Sequence, residues 1–212
     1  MEKGYKSVTR WNDSKNIHKI DNNWNSIDQE QTHRVFLAKK INNELKQNDL
    51  LLDAGCGSGE VYKRLKEYIE KKNVRYMGVD GSVPFIDLCR NRYKEDINLP
   101  NINKQWEESF KVRFELQNLY NLIFPENTFD ITIHIDVVQH CYYYEEVLRN
   151  LYYVTKRTLF IRTWVHNGED KIVEKLDTYS NIYNKQKFFN FLKTLDSNVS
   201  DEGNGIFIIR KS

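Results

Sequence analysis

Cysteine, charge of one sign and long apolar runs are all scarce in this sequence, and each scarcity closes off a class of protein. Only Cys56, Cys89 and Cys141 are present, with no CxxC pair, an odd number at spacings that suit neither a disulfide framework nor a zinc site. A reducing cytoplasm is the expected setting. The 32 lysines and arginines face 30 acids, a net charge of +2 with the signs interspersed, so no electrostatic feature points to nucleic acid or an anionic membrane. No apolar run approaches the ~20 residues that cross a bilayer, and the opening MEKGYKSVTRWNDSK has no apolar segment of the secretory kind. A soluble protein is expected. Repeats and low-complexity linkers are missing as well.

What is present is core-forming material. With 212 residues, 40% hydrophobic and 13% aromatic, the chain suits one α/β domain plus a small appendage rather than two full domains or a disordered chain. From residue 49 on, strand-like runs alternate with helical patterns, as in a parallel sheet with crossover helices. Strands are expected at Asp49–Ala54, Val74–Val79, Val112–Gln117, Phe129–Ile135, Thr158–Trp164 and Ile206–Ile209. Helices are expected at Glu60–Lys71, with Val61, Leu65 and Tyr68 on one face, and at Val83–Tyr93, Glu145–Val154 and Lys185–Leu195. The polar stretch Lys94–Ser109, with Pro100 and Trp106, reads as a loop. Residues 1–48 stand apart from the domain at 49–212. They comprise a polar segment with Tyr5, Trp11 and Trp24, then an amphipathic helix from about Ile27 to Leu45, either a cover for one sheet face or a lid.

The most informative stretch is LLDAGCGSGE, Leu51 to Glu60. An apolar strand ends in Asp53, and Gly55, Gly57 and Gly59 then turn the chain into a helix, which is the context of a cofactor loop. Glycines let the backbone take left-handed angles and approach a ligand closely, and the helix start turns its free N–H groups and positive dipole end into the same space. Dinucleotide loops read GxGxxG and seat a pyrophosphate there. Here the spacing is GxGxG after an acid, which repels phosphate but suits a ligand bearing an ammonium and a sulfonium. Asp80 closes the second strand, where an acid of a nucleotide-binding sheet accepts hydrogen bonds from both ribose hydroxyls. Its alternative use is to cap the helix beginning near Ser82.

In order, LLDAGCGSGE, MGVDGS and FPENTFDITIHIDVVQH resemble the successive motifs of the class I S-adenosylmethionine-dependent methyltransferases. Gln117 to Asp130, QNLYNLIFPENTFD, aligns without a gap with the stretch GDAENLPFPDNSFD of relatives that methylate quinones and small molecules. The resemblance covers roughly Leu50 to Tyr143. It implies a Rossmann-like α/β fold with a mostly parallel seven-stranded sheet and helices on both faces, S-adenosyl-L-methionine as methyl donor and S-adenosyl-L-homocysteine as product. It further implies that Asp53 and the backbone of Gly55 and Gly57 hold the methionine part, with Gly59 completing the cofactor loop, that Asp80 binds the ribose, and that Ser82 or its neighbour Gly81 flanks the adenine. Asn118 stands where the family usually has Asp, its side-chain oxygen able to accept from the adenine amino group or simply to make a turn. The backbone N–H of Leu119 would serve a ring nitrogen and the carbonyl of His134 the ammonium. Arg34 either pairs with the donor's carboxylate or lies on the surface.

Methyl transfer needs in-line placement and water exclusion, and a base only for some nucleophiles. His140, just past the fourth strand, is the first candidate base and His166, after the fifth, the second. Either could instead be a local turn residue, as Asp136 could be a cap. His18 and His33 are given no chemistry. Tyr142, Tyr143, Tyr144, Trp164 and Tyr183 form either an aromatic wall for a substrate or ordinary packing. No NPPY-type element of base-modifying enzymes is present, HIDV standing in its place, so a small-molecule acceptor (a sugar, secondary metabolite or quinone-like compound, methylated at O or N) is expected rather than nucleic acid or protein. A noncatalytic partner subunit that keeps the cofactor loop is the alternative. A nicotinamide oxidoreductase is disfavoured by the glycine spacing, and oligomeric state is left open.

Overall fold

A computed structural model of the chain describes residues 10–13, 17–22, 28–98, 105–175 and 178–212. Pro100 and Trp24 lie outside them, as does Tyr5. Nine strands form in chain order: β1 Leu50–Ala54, β2 Arg75–Asp80, β3 Val112–Leu116, β4 Phe129–Ile135, β5 Thr155–Arg162, β6 Val165–His166, β7 Tyr183–Asn184, β8 Val199–Gly203 and β9 Ile206–Arg210 among the described residues. Seven make one sheet, ordered β3-β2-β1-β4-β5-β9-β8, and β6 and β7 make a separate pair. Helices α1 Asp28–Glu44, α2 Glu60–Lys71, α3 Val83–Arg92, α4 Tyr144–Val154 and α5 Lys185–Leu195 alternate with them. The expected α/β fold is present. No described helix is long and apolar enough to cross a membrane. Two compact units emerge, one at Trp11–Gln117 and one that includes Asn118–Ser212, and each is described by itself.

In the first unit β1, β2 and β3 run parallel, with Leu52 opposite Met77 and Gly78 opposite Phe114. All five residues of β1 are buried, which explains its unbroken apolar run. Helix α2 buries Tyr62, Leu65 and Ile69. The expected face of Val61, Leu65 and Tyr68 is therefore rotated by one residue, because Tyr62 enters an aromatic cluster with Tyr76, Tyr93 and Phe114 at centroid distances of 4.7, 4.8 and 5.8 Å. Gly78 makes room for that cluster: a Cβ there would lie 2.7 Å from the Phe114 ring. Helix α3 starts where Ser82 accepts from Phe85 N at 3.3 Å and ends at Arg92, with Tyr93 as its C-cap. Helix α1 buries Arg34, Leu37, Ala38, Ile41 and Leu45, the last just past its end, while Val35 and Phe36 stay exposed.

In the second unit β4 and β5 are parallel, β9 is antiparallel to β5, and β8 returns antiparallel to β9. The expected fifth strand, Thr158–Trp164, lies at Thr155–Arg162 instead. Helix α4 passes directly into it, the Thr155 hydroxyl donating to Leu151 O at 2.6 Å. Strand β8 was not legible as a strand because its sequence, VSDEG, is mostly polar and half-buried. Tyr144, Tyr183, Phe188 and Phe191 pack together, Tyr144 and Tyr183 at 4.6 Å.

Candidate functional site

The glycine loop folds back on the end of β2. Gly55 N and Cys56 N both donate to Val79 O, at 2.7 and 3.0 Å, and Gly59 N donates to Cys56 O at 2.9 Å. Gly55, Gly57 and Gly59 take φ of 85°, 50° and 79°, angles at which a side chain is strained. Gly59 is doubly constrained, since a Cβ would come within 2.5 Å of Tyr93 Cε2 and the Tyr93 hydroxyl donates to its carbonyl at 3.0 Å.

Two acids meet at this loop. Asp80 Oδ2 accepts from Gly57 N at 3.0 Å and Oδ1 from Ser82 N at 2.9 Å, so one carboxylate pins the loop to the start of α3. Burial pushes its carboxyl up to about 6, against the pull of the Gly57, Ser82 and Gly81 amides. Asp53 is only 1% exposed. Its Oδ2 accepts from the Tyr76 hydroxyl at 2.6 Å. Burial pushes Asp53 up to about 7, opposed by the Tyr76 bond, reinforced by the charge of Asp80 and opposed again by that of Arg34. Arg34, 7% exposed, thus belongs to the buried charge system of the loop rather than to the surface.

The leader reaches the same place. Arg92 holds Asp21 with Nη1 at 3.1 Å and Nη2 at 2.5 Å, and Nη1 also donates to Ser58 O at 3.0 Å. At the start of α3 the Ser82 hydroxyl donates to Trp11 O, and Val83 N donates to Asn12 Oδ1 at 3.2 Å.

In the second unit, Asn118 is exposed and its side-chain oxygen accepts from Tyr120 N at 3.0 Å, a turn bond. Leu119 is buried, its carbonyl accepting from Asn150 Nδ2 at 3.1 Å. His134 is buried within β4 opposite Ile161. His140 ends a short 3-10 turn, Val138–His140. Its Nδ1 lies 2.7 Å from Tyr179 O and its ring meets that of Trp164 edge to face at 6.0 Å. His166 sits in β6 with Nε2 2.7 Å from Glu169 O, a contact within its own turn. Asp136, with φ of 61°, pairs with Arg162. Of the five aromatics, Tyr144 and Tyr183 join core packing, whereas Tyr143 and Trp164 remain exposed.

Spacing did not single out Tyr76, Tyr93, Asp21, Arg92 or Asn181. For Tyr76 a signal existed: in a strand, residues 76, 78 and 80 share one face, so the tyrosine had to lie in line with Gly78 and Asp80. Among the described residues no group of three or more His, Cys, Asp or Glu could hold a metal ion, and the three cysteines are free and buried.

The Methyltransferase domain family matches residues 52–160, just over half of the chain. It belongs to the class I S-adenosylmethionine-dependent methyltransferases. An uncharacterized methyltransferase of Schizosaccharomyces pombe is 30% identical over 110 residues, 52% of this chain and 36% of that protein. Carboxy-S-adenosyl-L-methionine synthase of Histophilus somni is 38% identical over 53 residues, 24% of this chain and 22% of that one. The chain thus matches only 36% and 22% of these relatives' own length. Among solved structures, the 1,6-didemethyltoxoflavin-N1-methyltransferase of Burkholderia thailandensis, holding 1,6-didemethyltoxoflavin and S-adenosylhomocysteine, superposes with TM-score 0.69 at 16% identity, covering 98% of this chain and 89% of that one. A methyltransferase of Aquifex aeolicus gives 0.62 at 18% identity, covering 93% and 97%. At such identity these two establish the fold of the family in this chain.

Proposed function

We propose that this chain transfers a methyl group from S-adenosylmethionine to a hydroxyl or amine of a small-molecule acceptor, by in-line displacement, with His140 as general base. The observation that carries the donor half is the carboxylate of Asp80 bound to both Gly57 N and Ser82 N. A loop that offers two acids, Asp53 and Asp80, fits an ammonium and a ribose diol, whereas a dinucleotide pyrophosphate would be repelled. When bound, the donor supplies a sulfonium methyl whose C–S bond breaks toward sulfur as the new bond to the acceptor forms.

The chain's own residues do the rest. Asp53, with the backbone of Gly55, Gly57 and Gly59, holds the methionine end, and Arg34 suits its carboxylate. Asp80 orients the ribose, and Gly81, Ser82, Asn118 and Leu119 border the adenine. The His134 carbonyl accepts from the ammonium. His140 takes the acceptor's proton, with His166 the second candidate for that role. Among the described residues of the leader, Trp11 and Asp21 serve as a cover over the donor loop, a role supported by the bonds of Asp21 to Arg92 and of Trp11 to Ser82.

Thermal-shift titration with S-adenosylmethionine, S-adenosylhomocysteine and NAD tests the donor, because a ligand that binds only the native state raises its stability. Stabilisation by the first two is expected, and stabilisation by NAD alone would sink the reading. Screening hydroxylated and amino-bearing small molecules for methyl transfer tests the rest: binding without turnover on any acceptor favours the noncatalytic partner. With an acceptor in hand, His140→Ala should slow turnover by roughly 10²- to 10⁴-fold and leave donor affinity unchanged. Equal turnover at saturating donor removes His140 from the base role.

A further inference from the structure

His140 is held by a segment almost 40 residues further along the chain. Asn181 N donates to Gln139 O at 2.8 Å. The Asn181 side-chain amide donates to Cys141 O at 3.1 Å and to the Tyr183 hydroxyl at 3.2 Å. That hydroxyl faces the carbonyls of Val138 and Cys141, at 3.0 and 3.2 Å. From the other side, the Thr163 hydroxyl donates to the Gln139 side-chain oxygen at 3.2 Å. The carbonyls of Val138, Gln139 and Cys141 therefore all accept from this segment, and His140, between them, meets Tyr179 O through Nδ1 at 2.7 Å. Thr178, Tyr179, Asn181 and Tyr183 are buried to 2% exposure or less, where an unmade polar bond is costly.

A carbonyl oxygen only accepts, so the contact with Tyr179 requires the proton on Nδ1 and leaves the lone pair of the neutral imidazole on Nε2. We infer that Asn181 and Tyr183 are positioning residues that lock the His140 turn onto the Tyr179 carbonyl, and so select the tautomer in which Nε2 can take a proton. The inference rests on His140 as the proposed base for its meaning in catalysis, but its test does not.

The 212-residue chain carrying ¹⁵N-histidine, observed by NMR at a pH where imidazole is neutral, reports the tautomer directly. The His140 signal is the one lost from His140→Gln among the five histidines. The unsubstituted protein should show His140 with the proton on Nδ1. Tyr183→Phe keeps the ring against Tyr144 and Phe188, at 4.6 and 5.7 Å, and removes only the hydroxyl. This variant and Asn181→Ser should each move the tautomer ratio toward Nε2–H by about 5- to 10-fold, the size expected from weakening one hydrogen bond. Protonation at Nε2 in the unsubstituted protein overturns the inference, as does an unchanged ratio in Tyr183→Phe. Failure of the base reading appears elsewhere, as undiminished turnover of His140→Ala.

Discussion

Asp80 and His140 are both fixed by main-chain partners, but the partners come from different distances. The carboxylate of Asp80 accepts from Ser82 two residues on and from Gly57 23 residues back, all within β1, α2, β2 and the cap of α3, with the glycines setting the approach. The imidazole of His140 donates to a carbonyl 39 residues away, on a segment with no regular period. A functional group built inside one βαβ unit leaves its geometry in local spacing. One assembled from separate loops leaves only its own residue type.

Asp80→Ala is the sharpest way to test that the glycine loop and Asp80 are set independently of His140. Loss of the proposed diol contacts together with the pin between Gly57 and Ser82 should weaken S-adenosylmethionine binding by about 2–4 kcal/mol, on the order of 30- to 1000-fold, since bonds to a charged group contribute about 1.5–3 kcal/mol each. Isothermal titration calorimetry measures it. The His140 tautomer should be unaffected in the same protein, and a tautomer change there would mean that the two regions are not independent.

The legible parts of the molecule follow the same division. Asp53, the loop glycines and Asp80 could be placed because a buried strand, a turn and a helix start are contiguous there. Arg34 is less legible: 34, 37, 38, 41 and 45 form one stripe at helical spacing, but an arginine reads as surface or as site until its burial at 7% exposure decides. Asn181 was not readable: its contribution is a set of bonds to the backbone of another loop, which no side-chain pattern announces. Strand β8 escaped for a related reason, since its place is set by pairing with β9 rather than by apolar alternation.

A smaller effect than that of Asp80→Ala separates the halves by pH. With Asp53 raised to about 7 and Asp80 to about 6 by burial, the protein without ligand holds their protons more tightly than the unfolded chain does. Their stabilising contribution is complete below about 4 and is lost as pH rises through 6 to 7. Donor binding has the opposite slope, because an ammonium and a diol favour the ionised acids. Affinity should fall by about tenfold or more between pH 8 and 5.5, so the melting temperature contributed by these acids and the ligand-induced shift should run in opposite directions across that range. A donor affinity flat over that range would separate these acids from the ligand.

Tyr76→Phe should give the smallest change and the most specific one. The hydroxyl bond to Asp53 at 2.6 Å favours the charged carboxylate and is the largest influence opposing its burial. Without it Asp53 titrates higher, so a larger fraction is protonated at neutral pH and donor affinity at pH 7 drops several-fold, as expected for a bond contributing about 1–2 kcal/mol. Because the ring remains in its cluster with Tyr62 and Phe114, the deficit should shrink as pH is raised toward 9, where Asp53 ionises even without the hydroxyl. A deficit that stays constant with pH would assign Tyr76 to packing alone and leave Asp53 governed by burial and by Arg34.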